Sequence, residues 1–185
     1  MKPRLADLLP TLRRLAADRR GVAALEFALI APMLLILYMG GTEATLAVTL
    51  HRKLVDTAGT VSDLATHNNA VTKSELEGLA NVARDIMRPY DVTALGLSVV
   101  GIDIAPSGQA KVVWSFARNA PAPARNSPFT LGSDFASLKD AFIVVTTARY
   151  AYQPLGGYGF TKPIDMAQVA TFRARSKTGV RCDDC

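Results

Sequence analysis

The chain has few of the residues that usually carry chemistry. Among its 185 residues there are two cysteines, two histidines and one tryptophan. His51 and His67 fall on or near one long expected helix, and neither has a neighbour that would complete a catalytic or metal-binding pair. No serine stands in a nucleophile elbow, and no glycine-rich phosphate loop follows an expected strand. A structural zinc site normally takes four ligands, and no second cysteine pair accompanies Cys182 and Cys185. These absences argue against an enzyme, so no catalytic residue, metal ligand or cofactor is assigned. Internal repeats and low-complexity runs are missing as well.

Away from the N-terminus, net charge is scarce too. The formal charge is +5, but the first twenty residues hold six bases (Lys2, Arg4, Arg13, Arg14, Arg19, Arg20) against two acids (Asp7, Asp18). The remaining 15 bases and 14 acids nearly cancel. Basicity therefore belongs to the leader, where it reads as a topology signal. The body carries no basic stripe that could track phosphates, which argues against nucleic acid as a partner. With 49% apolar and 20% charged residues the chain has the composition of a folding protein, long enough for one compact domain besides its N-terminal segment.

Charge is scarcest over residues 22–41. These twenty residues hold a single ionisable group of either sign that titrates near neutrality or below, Glu26. Their length matches the roughly 20 apolar residues that a helix needs to span a bilayer. Bases flank the N-terminal side, so the positive-inside rule leaves residues 1–21 in the cytoplasm and sends the rest across, as a single-pass membrane protein. Leu5, Leu8, Leu9, Leu12 and Leu15 lie near helical spacing in that cytoplasmic leader, which reads alternatively as a short amphipathic tail.

Helical periodicity continues beyond the span. Leu46, Leu50, Leu54, Ala58, Val61 and Ala65 keep a stripe at spacings of three and four, so one helix is expected from Val22 to about Thr66. It would be about 65 Å long, twice the hydrocarbon thickness, with residues 22–41 in lipid and residues 42–66 packed on a domain at 67–185. Pro32 removes the amide that would pair with the carbonyl of Ala28 and is expected to kink the helix, or to be merely tolerated there. Gly40 and Gly41 weaken it further on.

The rest of the chain turns mostly to strands. Ser74 and Glu77 offer a capping box for a short helix ending near Met87 before Pro89. Leu95, Leu97, Val100, Ile102 and Ile104 alternate with a phase slip at Val99-Val100 that reads as a bulge. Residues 105–109 form a turn, and Val112, Trp114 and Phe116 supply one apolar face of the returning strand. Residues 119–128, with Pro121, Pro123 and Pro128, are expected to be an exposed irregular loop, and residues 131–139 a helical turn. Phe142, Val144, Thr146, Ala148, Tyr150 and Tyr152 alternate as the clearest strand, and a last strand falls within residues 165–175. The fold class expected is α+β, a membrane helix extending into an antiparallel sheet domain.

Glu26 is the residue that needs a reason. A carboxylate at the centre of a span costs roughly 2.5–3.5 kcal/mol on insertion scales. If a membrane peptidase cuts after Gly21, the new amine of Val22 lies one helical turn from Glu26. Each charge then relieves the other, within one chain or between neighbouring chains. Glu26 reads alternatively as a polar residue that snorkels or pairs inside a helix bundle. Glu43, near the far membrane edge, reads as a solvated interfacial residue or as an assembly contact.

The run Arg19-Arg20-Gly21, the small apolar Val22-Ala23-Ala24-Leu25, then Glu26-Phe27-Ala28-Leu29, Pro32 and Glu43, resembles the N-terminus of type IV pilins. Within that class it is similar to the TadE-like family of tight-adherence (Flp, type IVb) pilus components. The resemblance covers about residues 18–50. It implies removal of the leader by a prepilin peptidase between Gly21 and Val22, one helix in the inner membrane, and a periplasmic or extracellular domain. It also implies a role as a minor pilin-like subunit working with other pilin-like subunits and the assembly machinery of an adhesive pilus. Phe27 stands where major Flp pilins carry tyrosine, which favours a minor component, as does the larger body.

Two other readings remain: a periplasmic enzyme or binding protein tethered by an uncleaved signal anchor, and a secreted protein cut after Ala47. On the far side of the membrane Cys182 and Cys185 have the spacing of a local disulfide, with an intermolecular link or a metal or redox role as the alternatives.

Overall fold

The computed structural model describes residues 21–154, 162–176 and 178–185. The leader expected over residues 1–21 therefore lies, up to Arg20, outside the described residues. The chain is α+β: a 46-residue helix α1 (Val22–His67), a second helix α2 (Lys73–Met87), and strands β1 (Leu95–Ile104), β2 (Ala110–Arg118), β3 (Ala141–Tyr152) and β4 (Ile164–Arg173). The strands form one antiparallel sheet in the order β2-β1-β3-β4.

The second half of α1 is the spine of the domain. Its stripe is buried as the periodicity requires: Leu50, Leu54, Ala58, Val61 and Ala65 are at most 1% exposed. Burying Leu50, Leu54 and Val61 is worth about 1.5–3 kcal/mol each, more than the helix loses through its many threonines. This face packs on β3, β4 and α2, and Ser62 Oγ donates to the carbonyl of Val144 at 3.1 Å, joining helix to strand. From the sheet, Leu95, Leu97, Val99, Trp114, Phe116, Phe142, Val144, Ala148, Tyr150 and Tyr152 complete this core.

The opposite face of the sheet is apolar as well. Val100, Ile102, Ile104, Val112, Ile143 and Val145 form a second cluster, covered by Phe129, Leu131 and Leu138 from the β2–β3 connection. That arrangement corrects the reading of β1. Its odd residues 95, 97 and 99 face the helices and its even residues 100, 102 and 104 face the connection, so the change of phase at Val99-Val100 needs no bulge. The irregularity lies two residues later, opposite β2, where Gly101 pairs with Trp114 and Ile102 with Val112, passing over Val113. The extra residue turns Val112 away from Trp114 and Phe116 onto the outer face.

A second correction concerns the start of α2. Its capping box is Thr72 with Glu75, two residues before the expected Ser74 and Glu77. The Glu75 amide donates to Thr72 Oγ1, and the Thr72 amide donates to the Glu75 carboxylate at 2.7 Å. Val71 and Leu76, both buried, bracket the cap as a hydrophobic staple. The expected turn at residues 131–139 is a 3-10 turn over Ser133–Phe135.

Candidate functional site

The first half of α1 stands clear of the domain. Every residue from Gly21 to Ile30 is exposed, and the exposed large apolar side chains run on through Met33, Leu34, Leu35, Ile36 and Leu37 to Tyr38. This is the one helix among the described residues that is long and apolar enough to cross a membrane, and none of its most apolar stretch is buried. A core helix would be covered, and this one is not. Residues 22–41 rise about 30 Å, the thickness of the hydrocarbon layer. The helix continues unbroken through Pro32 and through Gly40 and Gly41.

At its start, Gly21 is the N-cap, in αR geometry (φ −86°, ψ −7°) and without a side-chain capping bond. A Cβ at Gly21 would meet nothing within 4 Å, so the fold does not require glycine there. Glu26 follows Val22 by one turn and is exposed, as is Phe27 beside it, at 69%. The ion pairs between described residues join Arg88 to Asp85, Arg118 to Glu77 and Arg175 to Asp63, and Glu26 takes part in none of them.

Where the apolar half ends, polar groups are satisfied along the helix. Thr42, Thr45 and Thr49 donate their hydroxyls to the carbonyls of Tyr38, Gly41 and Thr45, each at 2.8 Å. Glu43 is buried at 4% exposure, which sets aside the reading of a solvated interfacial residue. It lies close enough to Tyr152 to influence that phenol. Burial first, then the Glu43 carboxylate and Tyr90, push the Tyr152 hydroxyl above its ordinary value. Tyr90 donates its hydroxyl to the carbonyl of Leu46 at 3.2 Å and meets Tyr150 edge to face, ring centroids 6.5 Å apart. Burial and the Asp91 carboxylate likewise raise Tyr150. Asp91 itself is held below the usual carboxylate range by the Thr93 amide and hydroxyl. The three tyrosines and Glu43 thus form one cluster where helix leaves span. The sequence showed Tyr150 and Tyr152 only as members of an alternating strand.

The C-terminal tail forms a clasp at the far end of the domain. Cys182 and Cys185 are joined to each other, and the Asp184 carboxylate between them accepts from the Lys73 amide in the first turn of α2 at 2.8 Å. Val71 donates to the carbonyl of Arg181, Arg181 to that of Asn69, and Trp114 Nε1 to that of Val180 at 2.7 Å. His51, on the exposed side of α1, lies beside Gln168 of β4. Nothing in these contacts assembles a nucleophile with a base.

Residues 21–61 match the model of the TadE-like protein family. The TadE-like segment begins at Gly21, takes in Glu26, Pro32 and Glu43, and ends inside the packed half of α1 at Val61. It makes the chain similar to pilin-like proteins of tight-adherence pili, a family not known for catalysis. No match to a curated protein or to a solved structure accompanies it.

Proposed function

We propose that the chain is a minor pilin-like subunit that takes part in assembling a tight-adherence pilus and is matured by a prepilin peptidase between Gly21 and Val22. The leader stays in the cytoplasm, residues 22–41 cross the inner membrane, and the sheet domain stands outside it. The observation that carries this reading is the bare apolar half of α1 with Glu26 one turn inside its start. A glycine that the fold itself does not need fits a protease subsite.

Magnitudes support the pairing of Glu26 with the Val22 amine. Four residues of helix are a rise of about 6 Å. Opposite unit charges at that distance attract by about 2.8 kcal/mol at an effective dielectric of about 20, and by only about 0.7 kcal/mol in water. The first figure offsets the insertion cost of roughly 2.5–3.5 kcal/mol, and the second does not. A neighbouring chain whose amine approaches the same carboxylate supplies the same attraction, so Glu26 sets the register of one helix against another. Phe27 lies beside it in that contact.

N-terminal sequencing of membrane-extracted protein tests the reading: maturation yields Val22 as first residue. A first residue of Met1 would overturn it in favour of an uncleaved anchor, and Val48 in favour of ordinary secretion. Glu26→Ala, which removes a charge from lipid, is expected to insert at least as well as the parent and to lose pilus assembly.

A further inference from the structure

The two edges of the sheet differ in what lies beside them. Along β2 the chain covers its own edge: Val112 donates to the carbonyl of Ser127 at 3.0 Å and accepts from the Asn126 amide at 2.8 Å, and Phe129 donates to the carbonyl of Ala110. β4 is the other edge, and among the described residues no segment bonds to it there.

Which groups stay open follows from the register. The Ala174 amide donates to the carbonyl of Phe142, directly opposite where the β3–β4 register continues past Arg173 and Ile143, so the even residues of β4 bond to β3. Bonded pairs alternate along an antiparallel ladder, so Asp165, Ala167, Val169, Thr171 and Arg173 turn their amides and carbonyls to the free edge. Their side chains share the outer face with Ile143 and Val145, and Val169 there is 62% exposed. Proteins blunt such an edge with lysine, proline or a bulge. Residues Ile164–Arg173 hold no lysine and no proline, and their register with β3 runs without a shift.

Charge and direction say what fits. Asp165 and Arg173 stand at opposite ends of the strand, equally far from Val169. An antiparallel strand with a base opposite Asp165 and an acid opposite Arg173 satisfies both, and antiparallel pairing is the stronger kind. A second β4 has these charges but cannot take that direction. α1 runs beside β4 in the same sense, from His51 next to Gln168 to Asp63 bonded to Arg175, so opposed β4 strands would point their spans in opposite directions. One membrane does not allow that. β2 of a second copy does run opposite to β4, but its edge is the one the chain already covers.

We infer that the free edge of β4 takes an antiparallel strand from a neighbouring subunit of different sequence, with a basic residue opposite Asp165, an apolar one opposite Val169 and an acidic one opposite Arg173. Main-chain bonds supply the affinity and the two charges the register. That the neighbour stands in the same membrane rests on the proposed pilin-like role.

The test uses the full chain in dilute nanodiscs holding two copies each, with amide exchange resolved to single residues. The probe is a synthetic peptide of residues 163–174, which carries no span and so can lie antiparallel, its Asp165 opposite Arg173 of the chain. Without peptide, the amides of Asp165, Ala167, Val169, Thr171 and Arg173 should exchange freely while those of Met166, Gln168, Ala170 and Phe172 are protected. Saturating peptide should slow the first set about tenfold or more, as new ladder bonds do. N-methylation of the peptide at Val169, whose amide faces the chain, should abolish binding, and at Ala170, whose amide faces away, should leave it intact. Exchanging the aspartate and arginine of the peptide should weaken binding about tenfold, and the chain variant Asp165→Arg with Arg173→Asp should restore it. No slowing by the peptide, equal effects of the two methyl groups, or a charge-exchanged peptide that binds as well as the first would overturn the assignment. Protection of the Val169 amide without peptide would mean that the chain or its own copy fills the edge, and would overturn the different subunit. N-terminal sequencing reports separately on the pilin-like role, so the two readings can fail independently.

Discussion

Gly101 and Gly59 show how the surroundings of a single residue decide the effect of one added methyl. Gly101 lies on β1 directly opposite Trp114, and the indole folds over it: a Cβ there would overlap the ring. Trp114 cannot easily yield, because it is fully buried and its Nε1 donates to the carbonyl of Val180. Gly101→Ala is therefore expected to destabilise the domain by about 1–3 kcal/mol, as overpacking of a close-packed core does. Gly59 lies inside α1, where a Cβ would meet nothing within 4 Å. Gly59→Ala should stabilise by about 0.5–1 kcal/mol, since alanine loses less backbone freedom in a helix. Denaturant midpoints of the full chain in detergent micelles read both, and effects of the same sign would contradict this account of the two sites.

At the scale of elements, α2 depends on the cap at Thr72. Thr72→Ala removes the acceptor for the Glu75 amide and is expected to cost about 1 kcal/mol, with faster amide exchange in the first turn of α2. Ser74→Ala should leave both unchanged, although Ser74 and Glu77 satisfy the same sequence pattern. The pattern admits both positions, and what separates them is the staple of Val71 and Leu76, which only the packed structure reveals. The stripe on α1 was legible because a helix with one buried face repeats every three or four residues, and Leu50 to Ala65 obey that period. β1 was legible as a strand but not in its facing, because Phe129, Leu131 and Leu138 cover its outer side and leave both faces apolar. Prolines in the connection marked it as irregular and gave no sign of the apolar cover that follows them. For the candidate site, Gly21, Val22, Glu26 and Phe27 could be picked out because they stand in one run. The cluster of Glu43 with Tyr90, Tyr150 and Tyr152 joins residues more than a hundred positions apart, and no local pattern announces it.

The molecule as a whole has two halves in different surroundings: a bare apolar helix, and a domain tied at both ends. At the far end the tail holds the turn between α1 and α2 against Trp114; at the near end the tyrosines hold the helix where it leaves the span. The near end predicts how stability responds to pH. Tyr150 and Tyr152 have folded-state values above the ordinary 10.0, because burial and nearby carboxylates disfavour the phenolate. Above about pH 10 the unfolded chain therefore releases protons that the folded chain retains, and stability falls as pH rises through the folded values. Asp91 acts in the other direction. Its folded-state value lies below the ordinary 3.8, so its contribution is complete above that pH and is lost as pH falls through the folded value. These three groups leave stability level between those limits, with an alkaline shoulder that reports the two phenols. Tyr152→Phe removes one titrating phenol without removing a hydrogen bond, so the alkaline decline of the unfolding temperature should become shallower while the neutral value stays the same. An unchanged decline would mean that Tyr152 is not held neutral by its burial beside Glu43, and the near end of the domain would lack the desolvated cluster that joins it to the helix.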